Sequence, residues 1–293
     1  MPAGTGFGAA TGSKGKTTMP PAVTICKDGD DLAAHAADLI VQAAQTATRA
    51  RGRAMLALAG GSTPEKTYSA LAQPGHRIRI DWVRTFLFLG DERFVPPDDP
   101  SSNFAMVQRT LLAPVSAPAG HAFSVPTQLG TAAAAASAYA AALTEAFGIG
   151  KVDGPPRFDL ILLGLGEDGH TASLFPGAAS LSVTDRWVVA SPPGTLPPPV
   201  ERITLTFPVL NAAREIVFLV SGQNKAEALR DVLEGNPSRE QRPAVWVRPV
   251  DGTLTWLVDE GAASRLTRRG STPIGARRDG DARETGVDDG RTR

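Results

Sequence analysis

The middle of the chain alternates short apolar runs with segments of helical periodicity. Apolar residues recur three or four positions apart along residues 32–47, which places them on one face of a helix. That face consists of Leu32, Ala36, Leu39, Ile40, Ala43 and Ala47. Further helices are predicted over Glu65–Leu71, Asn103–Leu112, Thr131–Phe147 and Lys225–Leu233.

Runs rich in β-branched and large apolar residues predict the strands. They are Ala22–Cys26, Arg53–Ala59, Arg84–Leu89, Phe158–Leu163, Arg202–Thr206, Glu215–Val220 and Val245–Val250. The nearly unbroken apolar run FDLILL, over Phe158–Leu163, is typical of a central parallel strand covered on both faces. Strands that alternate with helices indicate a layered, Rossmann-like α/β fold, with a mostly parallel sheet and helices on both faces. Ligands of such sheets bind beyond the carboxyl ends of the strands, so the functional residues are expected there.

The two ends of the chain differ in composition from its middle. Residues 1–21 are mostly Gly, Ala, Thr and Pro, and residues 267–293 are charged and nearly free of large apolar side chains. Neither end can bury enough surface to offset the entropy of ordering its backbone. We therefore predict a disordered N-terminal extension over 1–21, one folded domain over 22–266 and a disordered charged tail over 267–293.

Charge and cysteine content narrow the possible functions. Lys plus Arg and Asp plus Glu both number 30, so the formal net charge is zero and a nucleic-acid partner is not expected. Cys26 is the one cysteine, which excludes an internal disulfide and any CxxC motif. No apolar stretch is long enough to span a membrane, and residues 1–18 lack the apolar region of a secretory signal. These features predict a globular, cytoplasmic protein.

The first strand end with unusual chemistry is Gly60-Gly61-Ser62-Thr63-Pro64-Glu65. Ser62 and Glu65 have the spacing of a capping box, and Pro64 suits a first helical turn. Glycines let backbone N–H groups approach a ligand closely, and a helix N-terminus attracts an anion. An anion site and a plain tight turn with a cap fit this segment about equally well.

Charged side chains follow the strand Arg84–Leu89. Gly90 is succeeded by Asp91, Glu92 and Arg93, and three charges at the mouth of a buried strand are unfavourable unless they are exposed or used. For this motif taken alone, a solvated loop is the better interpretation.

The third strand end matches the dinucleotide fingerprint G-x-G-x-x-G between Gly164 and Gly169. That interpretation fails, because Glu167 and Asp168 would put negative charge where a pyrophosphate must lie. The segment also has room for little helix before Pro176, and it lies past the middle of the chain. What remains is Asp168 two residues before His170, and a carboxylate there could fix the tautomer of a histidine base. A metal site is also conceivable, but no further His or Cys is spaced to support it.

Two cations complete the candidate chemistry. Lys225 lies at the start of a predicted helix, where the helix dipole disfavours a cation. A surface lysine that extends to solvent and a lysine that binds an anion both explain it. Arg202 similarly opens an otherwise apolar strand.

Taken in order, these motifs resemble the 6-phosphogluconolactonase family. The resemblance covers about residues 22–260 and rests on five segments: GGSTP, GDERFVP with Ser102-Asn103-Phe104 downstream, LLGLGEDGHTASLFPG, RITLTFPVLN and FLVSGQNKAEAL. The related glucosamine-6-phosphate deaminases continue their Asp-Gly-His motif into a segment with a glutamate, which is missing after His170. They also have Asp-Glu-Tyr where this chain has Asp91-Glu92-Arg93. Both departures favour the lactonase.

The resemblance implies a sugar-phosphate isomerase/deaminase type of fold and hydrolysis of 6-phospho-D-glucono-1,5-lactone, with no cofactor and no metal. It implies His170 as the base, with Asp168 orienting the imidazole or its loop. Ser62, the N–H groups beside Gly61 and Lys225 would hold the 6-phosphate. Arg93 and Arg202 would bind phosphate or the oxyanion, and Asp91 would face sugar hydroxyls or pair with an arginine.

Two further expectations and two rival hypotheses accompany this assignment. The partner is a small sugar-phosphate lactone, and the chain is expected to be a monomer or a weak homodimer. One rival is a deaminase or isomerase of amino-sugar phosphates that uses Asp91 as its base. The other is a sugar-phosphate sensor without catalytic activity, although neither end of the chain could hold a DNA-binding helix-turn-helix.

Overall fold

The computed structural model describes residues 21–194 and 199–267. The two segments predicted to be disordered, 1–21 and 267–293, lie outside the described residues except for Pro21 and Thr267. The proposed boundaries of the folded domain, 22 and 266, therefore stay predictions. No helix within the described ranges is long and apolar enough to cross a membrane.

Nine strands form two sheets within the described ranges. They are β1 (Ala22–Cys26), β2 (Ala54–Leu58), β3 (Thr85–Leu89), β4 (Asp91–Arg93), β5 (Leu160–Leu163), β6 (Val188–Ser191), β7 (Arg202–Leu205), β8 (Glu215–Val220) and β9 (Thr253–Asp259). Six of them form a parallel sheet in the order β1-β9-β8-β5-β2-β3. All six carboxyl ends therefore lie at the same edge.

The central strands are buried along their whole length. Every residue of β2 and of β5 is buried, so both faces of the sheet are covered at its centre. This confirms the interpretation of FDLILL, because strands buried on both faces carry consecutive rather than alternating apolar residues. The predicted α/β fold with a mostly parallel sheet is also confirmed.

Helices connect and cover the strands. They are α1 (Gly29–Arg51), α2 (Ser62–Leu71), α3 (Pro74–Arg77), α4 (Asn103–Val107), α5 (Ala113–Val115), α6 (Ala132–Phe147), α7 (Phe207–Ala212) and α8 (Ala226–Glu234). A π-helical segment, Gln108–Leu112, joins α4 to α5. Shorter 3-10 turns occupy Trp82–Arg84, Lys151–Asp153, Ala179–Ser182, Gln223–Lys225, Pro243–Trp246 and Ala262–Arg265.

Helix α1 illustrates how local sequence fixes an element. The Asp28 side chain accepts hydrogen bonds from two backbone N–H groups of its first turn, and Gly52 closes the other end with a left-handed φ of 78°. Five of the six residues predicted to form its apolar face are buried, and Leu39 is partly buried against the core.

A second, antiparallel sheet of order β4-β7-β6 was not anticipated. It begins one residue after β3, where Gly90 turns the chain, and the Leu205 N–H donates to the Gly90 carbonyl. Asp91–Arg93, which the sequence alone favoured as a solvated loop, is therefore a strand. Three residues with three charges carry no hydrophobic alternation, so nothing in that segment indicates a strand.

The strand predicted over Val245–Val250 is wrong. Residues 243–246 form a 3-10 turn, and the hydrogen bonds of the following residues go to Asn211: the Arg248 N–H donates to its Oδ1 and the Val250 N–H to its carbonyl. Pro249 removes a backbone donor and argues against a central strand. The real last strand is β9, which pairs with β1 and β8.

Candidate active site

A cavity of about 280 Å³ lies beyond the carboxyl ends of β2, β3, β5 and β8. This is the edge where ligands of parallel sheets bind. Six of the eight residues that the sequence singled out line it: Gly61, Ser62, Asp91, Arg93, His170 and Lys225. Asp168 and Arg202 lie behind this lining, each next to a residue that belongs to it.

The turn after β2 brings a helix N-terminus to the cavity. Gly61, with φ of 103°, occupies the cap position of α2, and Ser62 is already the first helical residue. The predicted capping box is therefore wrong, because Glu65 pairs with Arg109 at 2.9 Å and no side chain caps the helix. Ser62 consequently remains exposed beside the cavity, at a helix end whose dipole favours an anion.

Glu92 points away from the cavity and anchors β4 to α4. Its carboxylate accepts hydrogen bonds from the backbone N–H groups of Arg93, Asn103 and Phe104 and from the Ser102 hydroxyl. The side chain is 1% exposed, and burial raises the pKa of its carboxyl against the effect of these donors. Because strand residues alternate in direction, Asp91 and Arg93 point to the opposite side, toward the cavity.

Arg93 and Arg202 are opposite each other across the antiparallel pair β4 and β7. Arg93 donates through Nη1 to the Ser101 carbonyl at 2.6 Å. Arg202 is 4% exposed, and its burial lowers the pKa of its guanidinium below the ordinary value. The nearby charge of Arg93 lowers this pKa further, by a smaller amount. Two neighbouring guanidinium groups create a positive field that suits an anionic group in the cavity.

His170 and Asp168 form a hydrogen-bonded pair on the loop after β5. Nδ1 of His170 lies 2.5 Å from Asp168 Oδ1, and the same oxygen accepts the His170 backbone N–H at 3.0 Å. Burial alone would raise the pKa of the Asp168 carboxyl, but the hydrogen bonds and charge of His170 outweigh it and lower this pKa. An ionised Asp168 only accepts hydrogen bonds, so Nδ1 donates to it, and in the neutral form of the ring the lone pair then lies on Nε2.

The loop that presents this pair is tightly folded. The Gly166 N–H donates to the His170 carbonyl, and Gly169 takes a left-handed φ of 82°. A Cβ on Gly166 would overlap the imidazole and the Asp168 carboxylate, and a Cβ on Gly169 would overlap Arg242. Arg242, which the sequence analysis missed, ties this loop to α8 through a 2.8 Å bond to Asp231.

Lys225 approaches the cavity from the turn after β8. Asp259 fixes that turn by accepting the Ser221 hydroxyl at 2.5 Å and the Gly222 N–H. The Lys225 Nζ lies 3.9 Å from Glu167, whose carboxylate also accepts a 2.7 Å bond from Asn224. Lys225 therefore reaches the cavity from the 3-10 turn ahead of α8, close to where its helix start was predicted.

Three residues that the sequence analysis did not assign hold the lining in place. Ser173 donates to the Asp91 carboxylate at 2.7 Å, and Asn103 donates to the Asp91 carbonyl at 2.9 Å. Asp259 supports Ser221, as described above. Asn103 and Ser173 lie within segments that carried the resemblance. Their spacing in the sequence does not indicate that either side chain contacts Asp91.

Cys26, Asp31 and His35 place ligand-type atoms within 4.8 Å of one another, among the residues that the structure describes. The His35 Nδ1 lies 2.9 Å from the Asp31 backbone carbonyl, which only accepts hydrogen bonds. In this arrangement Nδ1 donates a hydrogen bond, so the lone pair of the neutral ring lies on Nε2.

We expect Cys26 to be unreactive in the folded protein. It is 2% exposed, and burial together with the nearby carboxylates of Asp31, Asp259 and Asp28 raises the pKa of its thiol from 9.0 to about 12. The thiolate fraction at neutral pH is then lower by about 10³-fold, and the thiolate is the reactive form. Iodoacetamide should leave the mass and activity of the native protein unchanged, and should alkylate it only after denaturation. Rapid alkylation with loss of activity would contradict this environment.

Comparison with known proteins gives consistent matches. The family described as glucosamine-6-phosphate isomerases/6-phosphogluconolactonase matches residues 27–256. A 6-phosphogluconolactonase of Nostoc sp. is 36% identical over 249 residues, which make up 85% of this chain and 100% of that protein. The crystal structure of 6-phosphogluconolactonase from Leishmania guyanensis aligns with a TM-score of 0.77 and 29% identity, covering 85% of this chain and 100% of the other.

The fold is also similar to that of a monomeric glucosamine-6-phosphate deaminase. That structure aligns with a TM-score of 0.68 and 26% identity, covering 83% of this chain and 99% of the other. Fold alone therefore does not separate the two reactions, and the residues of the cavity have to do so.

Proposed function

The chain belongs to the glucosamine-6-phosphate isomerase/6-phosphogluconolactonase family, and we propose that it hydrolyses 6-phospho-D-glucono-1,5-lactone to 6-phosphogluconate. One observation carries the proposal. A histidine whose Nδ1 is held by Asp168 faces a cavity that is also lined by Arg93, Lys225 and the N-terminus of α2. A base surrounded by anion-binding groups suits an ester that carries a phosphate.

The reaction follows from the chemistry of the lactone. A δ-lactone is an activated ester, so water can attack its carbonyl carbon without a covalent enzyme intermediate. His170 removes a proton from the water through Nε2 as the oxygen bonds to C1. The C1–ring oxygen bond then breaks, and the imidazolium returns its proton to the ring oxygen. Asp168 stabilises the imidazolium and holds the ring in one orientation.

The anion-binding groups of the cavity have two roles to fill. Lys225, Ser62 and the N–H groups beside Gly61 all line the cavity, and we assign them to the 6-phosphate. Arg93 points into the cavity with Arg202 behind it, at the end of the parallel pair formed by β2 and β3. We assign this arginine pair to the oxyanion that forms at C1, since fixed positive charge stabilises charge that develops in a transition state.

Lys225→Ala should mainly weaken substrate binding. A phosphate contact is present in both the ground state and the transition state, so KM should rise while kcat changes little. A charge-assisted contact of roughly 1.5–3 kcal/mol corresponds to about 10–150-fold in kcat/KM. Steady-state kinetics with the phosphorylated lactone measures this effect.

Two controls accompany that variant. Unphosphorylated gluconolactone should be a poor substrate that is nearly indifferent to Lys225→Ala. Lys66→Ala removes a lysine that pairs with Asp30 at 2.8 Å and does not line the cavity, so it should keep the wild-type KM. An unchanged KM in Lys225→Ala would show that the phosphate lies elsewhere.

The amino-sugar deaminase remains the rival reaction, and two features disfavour it. The residues after His170 supply no glutamate to assist the histidine, and Arg93 faces the cavity where the deaminases have tyrosine. The sensor hypothesis gains no support from a hydrogen-bonded His–Asp pair, since a sensor needs no base.

A substrate comparison tests the proposed function. Freshly generated phosphorylated lactone is mixed with the protein, and acid release is followed with a pH indicator against the spontaneous rate. Glucosamine-6-phosphate is tested in parallel for ammonia release. We expect rapid acid release and no ammonia; ammonia release with only the spontaneous rate of acid release would overturn the assignment.

We further propose that the protein acts in the cytoplasm as a monomer or weak homodimer, without a nucleic-acid partner. The balanced charge of the sequence supports the last point. Light scattering after size-exclusion chromatography, over a range of concentrations, distinguishes the two oligomeric states.

A further inference from the structure

Ala172 has an unusual backbone conformation at the edge of the cavity. Its φ of 49° lies in the left-handed region, which is unfavourable for a residue with a Cβ. The residue is the second of a tight turn in which the Leu174 N–H donates to the Thr171 carbonyl at 3.0 Å. Turns with a positive φ at this position usually carry glycine there.

The strained residue lies between two groups that face the substrate. His170, two residues earlier, lines the cavity together with Ala172 itself. Ser173, the next residue, donates its hydroxyl to the Asp91 carboxylate at 2.7 Å. One short turn therefore connects the base to the residue that holds Asp91.

The far side of the turn is rigidly fixed. Ser173 is 2% exposed, its N–H donates to the Thr204 hydroxyl at 3.2 Å, and its carbonyl accepts the Ser191 hydroxyl at 2.6 Å. These bonds tie the turn to β7 and β6 of the antiparallel sheet. With Ser173 held by these bonds, the backbone of Ala172 sets how the chain runs back to His170 through Thr171, whose hydroxyl donates to the Gly164 carbonyl at 2.9 Å.

We propose that Ala172 is a positioning residue for the hydrolysis, and that its strained backbone holds His170 in a fixed relation to Asp91. This inference rests on the proposed function. Glycine would adopt the same φ without strain, but it would also give the turn many other conformations. Alanine restricts the turn, so His170 stays close to the geometry that water activation requires. Strain of this kind is typical of functional sites.

Ser116 offers a matched control. It is the other non-glycine residue with positive φ in the described part of the chain, at 53°, and it lies exposed at the end of α5, away from the cavity. Replacing it with glycine relieves the same kind of strain without touching the site.

The test compares Ala172→Gly, Ser116→Gly and Ala172→Asn by Tm, kcat and KM on the phosphorylated lactone. Both glycine variants should keep or raise Tm. Ala172→Gly should lose about 10-fold or more in kcat with KM within about twofold, since small misplacements of reacting groups reduce rates strongly. Ser116→Gly should keep the wild-type kcat. Asparagine tolerates the left-handed region, so Ala172→Asn should retain more kcat than Ala172→Gly.

The outcomes separate this inference from the function on which it rests. If the wild type does not hydrolyse the lactone, the proposed function fails. If the wild type is active and Ala172→Gly keeps its kcat, only the positioning role fails. Should Ala172→Gly not fold, Ala172→Val decides instead, because a β-branched residue strongly disfavours the left-handed region and must change the turn. In a folded Ala172→Val, kcat reduced about 10-fold or more with KM within about twofold supports the role, and an unchanged kcat contradicts it.

Discussion

His170→Asn is expected to lower kcat for lactone hydrolysis by about 10²–10⁴-fold, the usual loss when a general base is removed. Asparagine is polar and similar in size, and it can still donate to Asp168, but it does not accept and return a proton near neutral pH. Competitive binding of 6-phosphogluconate should survive, because the cations of the cavity are untouched. Initial rates at saturating lactone, corrected for spontaneous opening, measure the loss.

The pH profile provides an independent readout of the same variant. In the wild type, the rate above background should fall toward acid where the general base has taken up a proton, because the base then has no lone pair to accept a proton from water. Asp168 does not produce this acid limb at mildly acidic pH, because its lowered pKa keeps the carboxylate ionised there. The limb should be absent from the residual activity of His170→Asn. A variant that keeps both the rate and the limb would exclude His170 as the base.

Gly166→Ala should reduce kcat by about the same factor as loss of the base, about 10²–10⁴-fold. The new Cβ would overlap both the His170 imidazole and the Asp168 carboxylate. One of these side chains must move, and the 2.5 Å bond between them cannot then keep its geometry. Steady-state kinetics together with a melting curve distinguishes a displaced base from an unfolded protein.

Gly130→Ala serves as the matched control for that substitution. Nothing lies within 4 Å of a Cβ built on Gly130, and its φ is not in the left-handed region. It should therefore retain wild-type kcat and Tm. Full activity in Gly166→Ala would contradict the account, because it would show that catalysis does not depend on the position of the His170–Asp168 pair.

The parallel sheet could be predicted from the sequence because its central strands are buried on both faces. A short apolar run such as FDLILL is typical of a strand covered on both faces, and every residue of β5 is buried. The antiparallel sheet could not be predicted, because β4 consists of three charged residues. The directions of their side chains depend on the pairing of β4 with β7. The strand predicted over Val245–Val250 was wrong for a related reason: β-branched residues are present, but Pro249 and the contacts of Asn211 divert the chain.

The chemistry of the site was predicted better than its construction. Strand ends on one edge bring Gly61, Ser62, His170 and Lys225 into one cavity, as parallel topology predicts. Asp91 and Arg93 reach the same cavity from β4 of the antiparallel sheet. The burial of the Glu92 side chain, on the side away from the cavity, was not predictable. It depends on hydrogen-bond donors from α4, about ten residues downstream. The capping box of α2 was mispredicted because Glu65 forms a salt bridge with Arg109 instead. Only the tertiary fold brings these two residues together.

The most direct test of the account compares kcat of His170→Asn with kcat of Asp91→Asn on the phosphorylated lactone. In hydrolysis by activated water, His170 transfers the proton and Asp91 only binds the sugar. In the deaminase reaction, Asp91 would be the base. We expect His170→Asn to retain less than about a hundredth of the wild-type kcat, and Asp91→Asn to affect KM more than kcat. If His170→Asn keeps more than about a tenth of the rate while Asp91→Asn abolishes it, the base and the reaction are both misassigned.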